Sequence, residues 1–234
     1  MVLADEVYQD NIYNPKKSFV SFRKVLNESN ADIRDSVELV SFHSVSKGFL
    51  GECGLRGGYM ELHNFNPAVR QILLKLKTIY LCSNSIGQIT MDLKVRPPTE
   101  KDATAKTVQQ YESEVKALLG DLTKKAKIVE NALNSMKNIH CNPIEGAMYA
   151  FPRVDLPKKF IAEAESLGKV PDAYYCMLAL QATGGVMVPG SGFRQREGTH
   201  HFRTTILPAP VTFLESKYQE FKKFNDDLMK KYSS

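Results

Sequence analysis

Residues 41–59, SFHSVSKGFLGECGLRGGY, decide how the chain is read. The apolar run just before and into this stretch, VELVSF at 37–42, has the make-up of a short buried strand. The composition then switches to Ser, Lys and Gly, with five glycines between Gly48 and Gly58. Glycine at that density between apolar segments marks a loop whose backbone turns tightly or approaches another group closely. GYMEL at 58–62 reads as a strand again. Lys47 therefore stands just past a strand, at the entry to a glycine-rich loop. Taken alone, such a lysine also suits a surface position, with its stem along the protein and its ammonium in water.

Outward from this loop, strands and helices alternate. MVLADEVY at 1–8 reads as a buried strand that delivers Asp5 at its C-terminal end. A small helix fits 22–28, and Asn66-Pro67 opens a helix to about residue 77, with proline in its favoured first position. Pro97-Pro98 breaks the chain, and a long helix follows over 103–137. Its apolar stripe is Val108, Tyr111, Val115, Leu118, Leu122, Val129, Leu133 and Met136, spaced mostly by threes and fours as in a packing face. Strands are expected at 146–151, 185–189 and 201–207, and helices near 157–168, 172–182 and 211–232. The pattern is that of an α/β or α+β layer architecture. The expected division is 1–100 as part of a larger domain, 101–137 as a connecting helix, and 138–234 as a smaller C-terminal domain.

Composition narrows the function classes. The chain has 234 residues, 43% hydrophobic and 24% charged, which excludes a disordered or collagen-like polymer. A net charge of +5 without a dense basic block gives little support to nucleic-acid binding. No apolar run reaches the roughly 18 residues a membrane span requires. Cys53, Cys82, Cys141 and Cys176 are widely spaced, with neither a disulfide framework nor zinc-ligand spacing. His200-His201 does not suggest a metal, because adjacent residues on a strand face opposite ways. His43 and Cys53 are expected to be packing residues near the loop.

The chemistry lies around Lys47. Ser44 is three residues before it and Arg56 nine after it. A hydroxyl, a guanidinium and freed backbone amides together suit a dianionic phosphate. Asp5 can hold a pyridinium nitrogen protonated, and the Tyr8 phenol can bond an oxygen on the same ring. With a lysine able to form a Schiff base, this set describes a site for pyridoxal 5'-phosphate. The rival S-x-x-K motif of penicillin-binding proteins requires S-D-N and K-T-G partners, and neither occurs.

ADEVYQDNIY (4–13), the 41–59 stretch, VPGSGF (188–193) and QREGTHHFRTTILP (195–208) together resemble the alanine aminotransferases. These are fold type I pyridoxal-phosphate enzymes. The resemblance runs nearly end to end, and the nine-residue step from Lys47 to Arg56 fits the alanine branch. It implies the C-terminal part of the large cofactor domain, with a mixed, mostly parallel sheet, plus a smaller α+β domain. It implies that Lys47 forms the Schiff base and moves the substrate proton, that Asp5 pairs with the ring nitrogen, and that Tyr8 bonds the phenolic oxygen. Ser44 and Arg56 would bind phosphate, and Arg203 the substrate α-carboxylate. Without the resemblance, Arg203 suits a strand-edge ion pair. The family usually has tyrosine where His200 stands.

The family's glycine-rich phosphate loop, the aromatic ring that stacks on the cofactor, and its N-terminal arm have no counterparts here. The chain is therefore expected to be N-terminally truncated, and alone to be unstable or to associate. The implied partners are amino acid and 2-oxo acid substrates, and a second copy in a full-length homodimer. Neither nucleic acid nor membrane is implied, and the compartment is left between cytoplasm and mitochondrion. Two functions stay open: alanine–2-oxoglutarate transamination, or a non-catalytic C-terminal fragment acting through interactions.

Overall fold

A computed structural model describes residues 1–233, which divide into two compact units, 1–119 and 120–233. In the first, strand β1 (Val2–Asp5) is followed by helices α1 (Phe22–Glu28) and α2 (Ala31–Ser36), then strands β2 (Leu39–Ser44) and β3 (Gly58–His63). Helices α3 (Pro67–Thr78) and α4 (Ser85–Val95) come next, and α5 (Ala105–Asn134) begins. The sheet is mixed, in the order β1-β2-β3, with β1 parallel and β3 antiparallel to β2. Ala4, Leu26 and Leu39 form a buried cluster between the sheet and α1.

The first strand is shorter than its apolar composition suggests. It stops at Asp5, and residues 6–11 turn back through Gln9 N–H to Glu6 O and Asn11 N–H to Tyr8 O. Helix α4 forms where the sequence pattern marks no element. Asn84 caps it, with its side chain accepting from Ile86 N–H. Both α3 and α4 carry apolar side chains in the open, among them Ile72, Leu74, Ile86 and Ile89, and no residue of α3 is buried.

Helix α5 matches the expected long helix, with one change in its stripe. Leu118 is 51% exposed, while Leu122, Ala126, Val129 and Leu133 are buried. The half-buried face passes from Val115 to Leu119 instead. A step of four keeps the side chain on the same face at 3.6 residues per turn, and a step of three from there reaches Leu122.

The second unit adds strands β4 (Ile139–His140), β5 (Tyr149–Ala150) and β6 (Arg153–Val154), helices α6 (Lys158–Ser166) and α7 (Pro171–Thr183), strands β7 (Val188–Pro189) and β8 (Phe202–Thr205), and helix α8 (Val211–Tyr232). Strand β8 lies between β5 and β7, antiparallel to both. The core is aromatic. Phe160, Tyr175, Phe202, Phe221 and Tyr232 meet largely edge to face, an arrangement the ring quadrupoles favour. The buried Tyr175 hydroxyl donates to Asn225 Oδ1 at 2.9 Å, and Asn225 and Asn138 exchange two further amide bonds. Among the described residues no helix is long and apolar enough to cross a membrane.

Candidate active site

Because β1 and β2 run parallel, their C-terminal ends, with Asp5 and Ser44, fall at one end of the sheet. This is the end at which open α/β sheets bind ligands. The glycine-rich loop leaves from Ser44 and returns at Gly58, its partner on β3. Its shape comes from a few local bonds. Val45 N–H donates to Gly57 O and Glu52 N–H to Val45 O. The Ser44 hydroxyl donates to Gly57 O at 3.1 Å and accepts from Ser46 N–H at 3.0 Å. Gly48 and Gly51 adopt φ of +70° and +65°, open to glycine at no steric cost. Lys47, between them and the strand, is half-buried, and its ammonium makes no hydrogen bond or ion pair among the described residues.

Arg56 closes the loop in an unusual way. It is left-handed at φ +52°, a conformation costing a non-glycine residue about 1–2 kcal/mol. Its guanidinium folds back so that Nη1 donates to Cys53 O at 2.9 Å and lies 3.5 Å from Ser46 Oγ. Ser46 thus joins the hydroxyl–guanidinium set, a neighbour that a search for Ser44 alone does not find. Gly57 and Gly87 hold this arrangement against α4. A Cβ on Gly57 would stand 2.5 Å from Gly87 O, and one on Gly87 would stand 2.7 Å from Leu55 O. Asn84 fastens the same contact by donating to Leu55 O at 2.8 Å.

Asp5 is exposed and Tyr8 half-buried, just past the end of β1. The donor set fits pyridoxal phosphate. It comprises an unengaged amine, hydroxyls beside an exposed guanidinium, and a carboxylate at the same sheet end without a cation partner among the described residues.

Behind the loop, Lys94 of α4 is 5% exposed at its side chain and pairs with Asp10 at 2.7 Å. Its ammonium also sits 4.7 Å from the centre of the Phe49 ring, two residues past Lys47. Gln9, His43 and Tyr111 share this cavity of about 470 Å³. No sequence motif marks Lys94 or Asp10, which are 84 residues apart.

His43 is buried, and that burial pushes its pKa below the ordinary 6.5. The Lys94 charge pushes the same way, while Glu6 and Asp10 partly oppose it. A depressed histidine pKa means that the unfolded chain takes up a proton before the folded one does. Its contribution to stability is intact above about pH 6.5 and is lost as pH falls through the folded value. Thermal unfolding of His43→Gln is expected to vary less with pH between about 7 and 5 than that of the parent chain. Equal slopes would exclude His43 as the source.

In the second unit, Arg203 lies at the centre of β8. No strand-edge ion pair holds it among the described residues. Its guanidinium stands instead over two rings, 4.7 Å from the centre of Tyr149 and 5.0 Å from that of Phe193. This cation–π cradle leaves the hydrogen-bonding edge of the fork for a carboxylate.

The fold is that of the aminotransferases. The alanine aminotransferase structure from Pyrococcus furiosus superposes on 96% of this chain and 49% of its own, at a TM-score of 0.72 and 24% identity. The aromatic aminotransferase of Pyrococcus horikoshii gives 0.68, over 97% and 51%, at 18% identity.

Residues 1–212 match the family model of class I and II aminotransferases, and the chain belongs to that family. It is 49% identical over 232 residues to alanine aminotransferase 2 of Xenopus laevis, covering 99% of this chain and 42% of that protein. To alanine aminotransferase 1 of Homo sapiens it is 47% identical, covering 99% and 46%. To glutamate–glyoxylate aminotransferase 2 of Arabidopsis thaliana it is also 47% identical, covering 100% and 48%. The chain thus spans somewhat under half the length of these relatives.

Proposed function

We propose that this chain takes part in transfer of the amino group of L-alanine to 2-oxoglutarate, giving pyruvate and L-glutamate, with pyridoxal 5'-phosphate as cofactor. The observation that carries the proposal is the gathering of Asp5, Ser44, Lys47 and Arg56 at one end of the sheet, in a chain 49% identical to an alanine aminotransferase. The cofactor, when bound, supplies an electrophilic carbonyl and a ring that withdraws electrons from the substrate α-carbon.

The chain's own residues supply the rest. Lys47 anchors the cofactor at its Nζ and carries the proton that leaves the α-carbon. Asp5 keeps a proton on the ring nitrogen by its negative charge, and Tyr8 bonds the ring oxygen. Arg56, with the Ser44 hydroxyl and its neighbour Ser46, holds the phosphate. Arg203 takes the α-carboxylate of the amino acid through its planar fork. Residues 1–100, 101–137 and 138–234 would serve as part of the cofactor domain, the connecting helix and the small domain. As part of this proposal, the complete enzyme is a homodimer.

The test is chemical. The chain is mixed with pyridoxal phosphate, reduced with borohydride and digested, and the adduct is located by mass spectrometry. One stoichiometric adduct on Lys47, lost in Asp5→Ala, is the expected result. Scattered labelling of surface lysines would favour a second function, that of a non-catalytic interaction piece. The apolar side chains in the open on α3 and α4 speak for that alternative.

A further inference from the structure

The second unit contains a buried polar relay that ends on the rings supporting Arg203. It starts at Asp172, which is 1% exposed. Pro171 takes the first position of α7 and Asp172 the second, where a carboxylate faces the positive end of the helix. Its Oδ1 accepts from Ala173 N–H at 2.8 Å. Its Oδ2 accepts from Ser191 N–H at 2.7 Å and from Gln195 Nε2 at 2.8 Å. A carboxylate can only accept, so the Gln195 amide nitrogen must face it and Oε1 must point away. That Oε1 lies 3.1 Å from His201 Nδ1, which therefore carries the proton and donates.

The chain of contacts continues through rings. The His201 imidazole lies parallel to Phe151, with centres 5.1 Å apart and planes within 6°. Phe151 meets Phe193 edge to face at 5.5 Å, and Phe193 is one of the two rings beneath Arg203. The backbone supports the same geometry. Gly190 N–H donates to His201 O at 2.8 Å, and Ser191, held by Asp172, begins the turn that presents Phe193. A Cβ on Gly190 would stand 2.2 Å from Gln195 Oε1 and 2.7–2.8 Å from His201 atoms, so glycine is required for the relay to pass.

We propose that Asp172, Gln195 and His201 are positioning residues for Arg203: they fix the 190–193 turn and the Phe151–Phe193 pair so that the guanidinium meets a substrate carboxylate in one orientation. None of the three touches Arg203 through a hydrogen bond. They act by denying Phe193 other positions, and an aromatic ring with fewer positions confines the cation above it. The inference rests on Arg203 being the carboxylate-binding residue.

The test uses the whole chain with nitrogen-15 arginine and follows the Arg203 Nε–H resonance, assigned by its disappearance in Arg203→Lys. Pyruvate is the probe. In the parent chain the resonance is expected away from that of solvated arginine, because of the rings beneath it, and to shift further on titration. Gln195→Leu and Gly190→Ala are each expected to move it toward the solvated position and to weaken pyruvate binding about tenfold, or ~1.4 kcal/mol. The Arg56 resonance reports on folding in the first unit and should not move. Phe193→Leu keeps the relay and removes the ring, and is expected to give the same weakening even where Gly190→Ala does not fold.

A merely structural role would lower the unfolding temperature of the Gln195 variant and leave the Arg203 resonance and pyruvate titration unchanged, which overturns the inference alone. If the parent resonance is indifferent to pyruvate, the assignment of Arg203 to a carboxylate falls, and the positioning role falls with it.

Discussion

Amino-group transfer by the cofactor-loaded protein is expected to drop by about 10²–10⁴-fold in Lys47→Ala from the loss of proton transfer alone, and to drop equally in Lys47→Arg. The comparison separates two things that a lysine supplies. If Lys47 contributed only positive charge beside Arg56, the proposed phosphate ligand, arginine would replace it with little loss. If it holds the cofactor and carries a proton, arginine fails as completely as alanine, because a guanidinium is not deprotonated in proteins and does not act as the amine nucleophile. The proposed function makes the second outcome the expected one. The Lys47 ammonium is half-buried and unengaged by any carboxylate among the described residues, while Arg56 spends one of its donors on Cys53 O. Single-turnover loss of the cofactor's visible absorbance on adding L-alanine measures this directly. Retention of a tenth or more of the rate by Lys47→Arg would remove Lys47 from the chemistry.

Much of the first half of this site can be seen in the sequence because its constraints are local. Gly48 and Gly51 occupy left-handed backbone that glycine adopts freely, and Ser44 bonds groups within a few residues or directly across the β2–β3 pair. Such features leave spacing in the chain. What the sequence hides is non-local. Helix α4 has an amphipathic look, but Ile86, Ile89 and Leu93 point outward, and Gly87 and Met91 point in. The apolar pattern therefore does not mark the packed face, and the decisive residue is a glycine that usually argues against a helix. Lys94 meets Asp10 from 84 positions away and reads as an ordinary surface lysine until the fold brings the two together.

Arg203 shows the same limit in the second unit. As a lone arginine on a short strand it suggests an ion pair, since arginine most often finds a carboxylate. Its actual neighbours, Tyr149 and Phe193, come from 54 and 10 residues before it, on either side of its strand. Neither ring announces itself as a partner. The buried carboxylate that matters nearby, Asp172, binds Gln195 and the Ser191 amide instead of a cation. A carboxylate satisfied by neutral donors needs no counter-charge in sequence, so no spacing rule would find it.

The contact of the loop with α4 carries the second large expectation. Gly57→Ala is expected to destabilise the first unit by about 1–3 kcal/mol or more and to weaken pyridoxal phosphate binding, while Gly54→Ala in the same loop leaves both nearly unchanged. The difference lies in what each added methyl meets. At Gly57 it would stand 2.5 Å from Gly87 O and 3.1 Å from Gly87 C, with the Val45 side chain at 3.1 Å. The first two are backbone atoms of α4, which cannot swing aside as a side chain can. Either α4 moves away, breaking the Asn84 bond to Leu55 O, or the loop moves and carries Arg56 with it. Because Arg56 is held left-handed between Leu55 and Gly57, even a small shift changes where its guanidinium points. At Gly54 the methyl would meet nothing within 4 Å. Neither of these glycines has a positive φ, so the comparison isolates packing from backbone strain. Gly87→Ala approaches the same contact from the other side, at 2.7 Å from Leu55 O and 2.9 Å from Arg56 O, and is expected to reproduce the Gly57 phenotype. Thermal unfolding and cofactor titration of the three variants read the result. If Gly57→Ala and Gly87→Ala bind cofactor as the parent does, the seating of the loop on α4 does not set the phosphate-binding geometry, and Arg56 must be oriented by Cys53 and Ser46 alone.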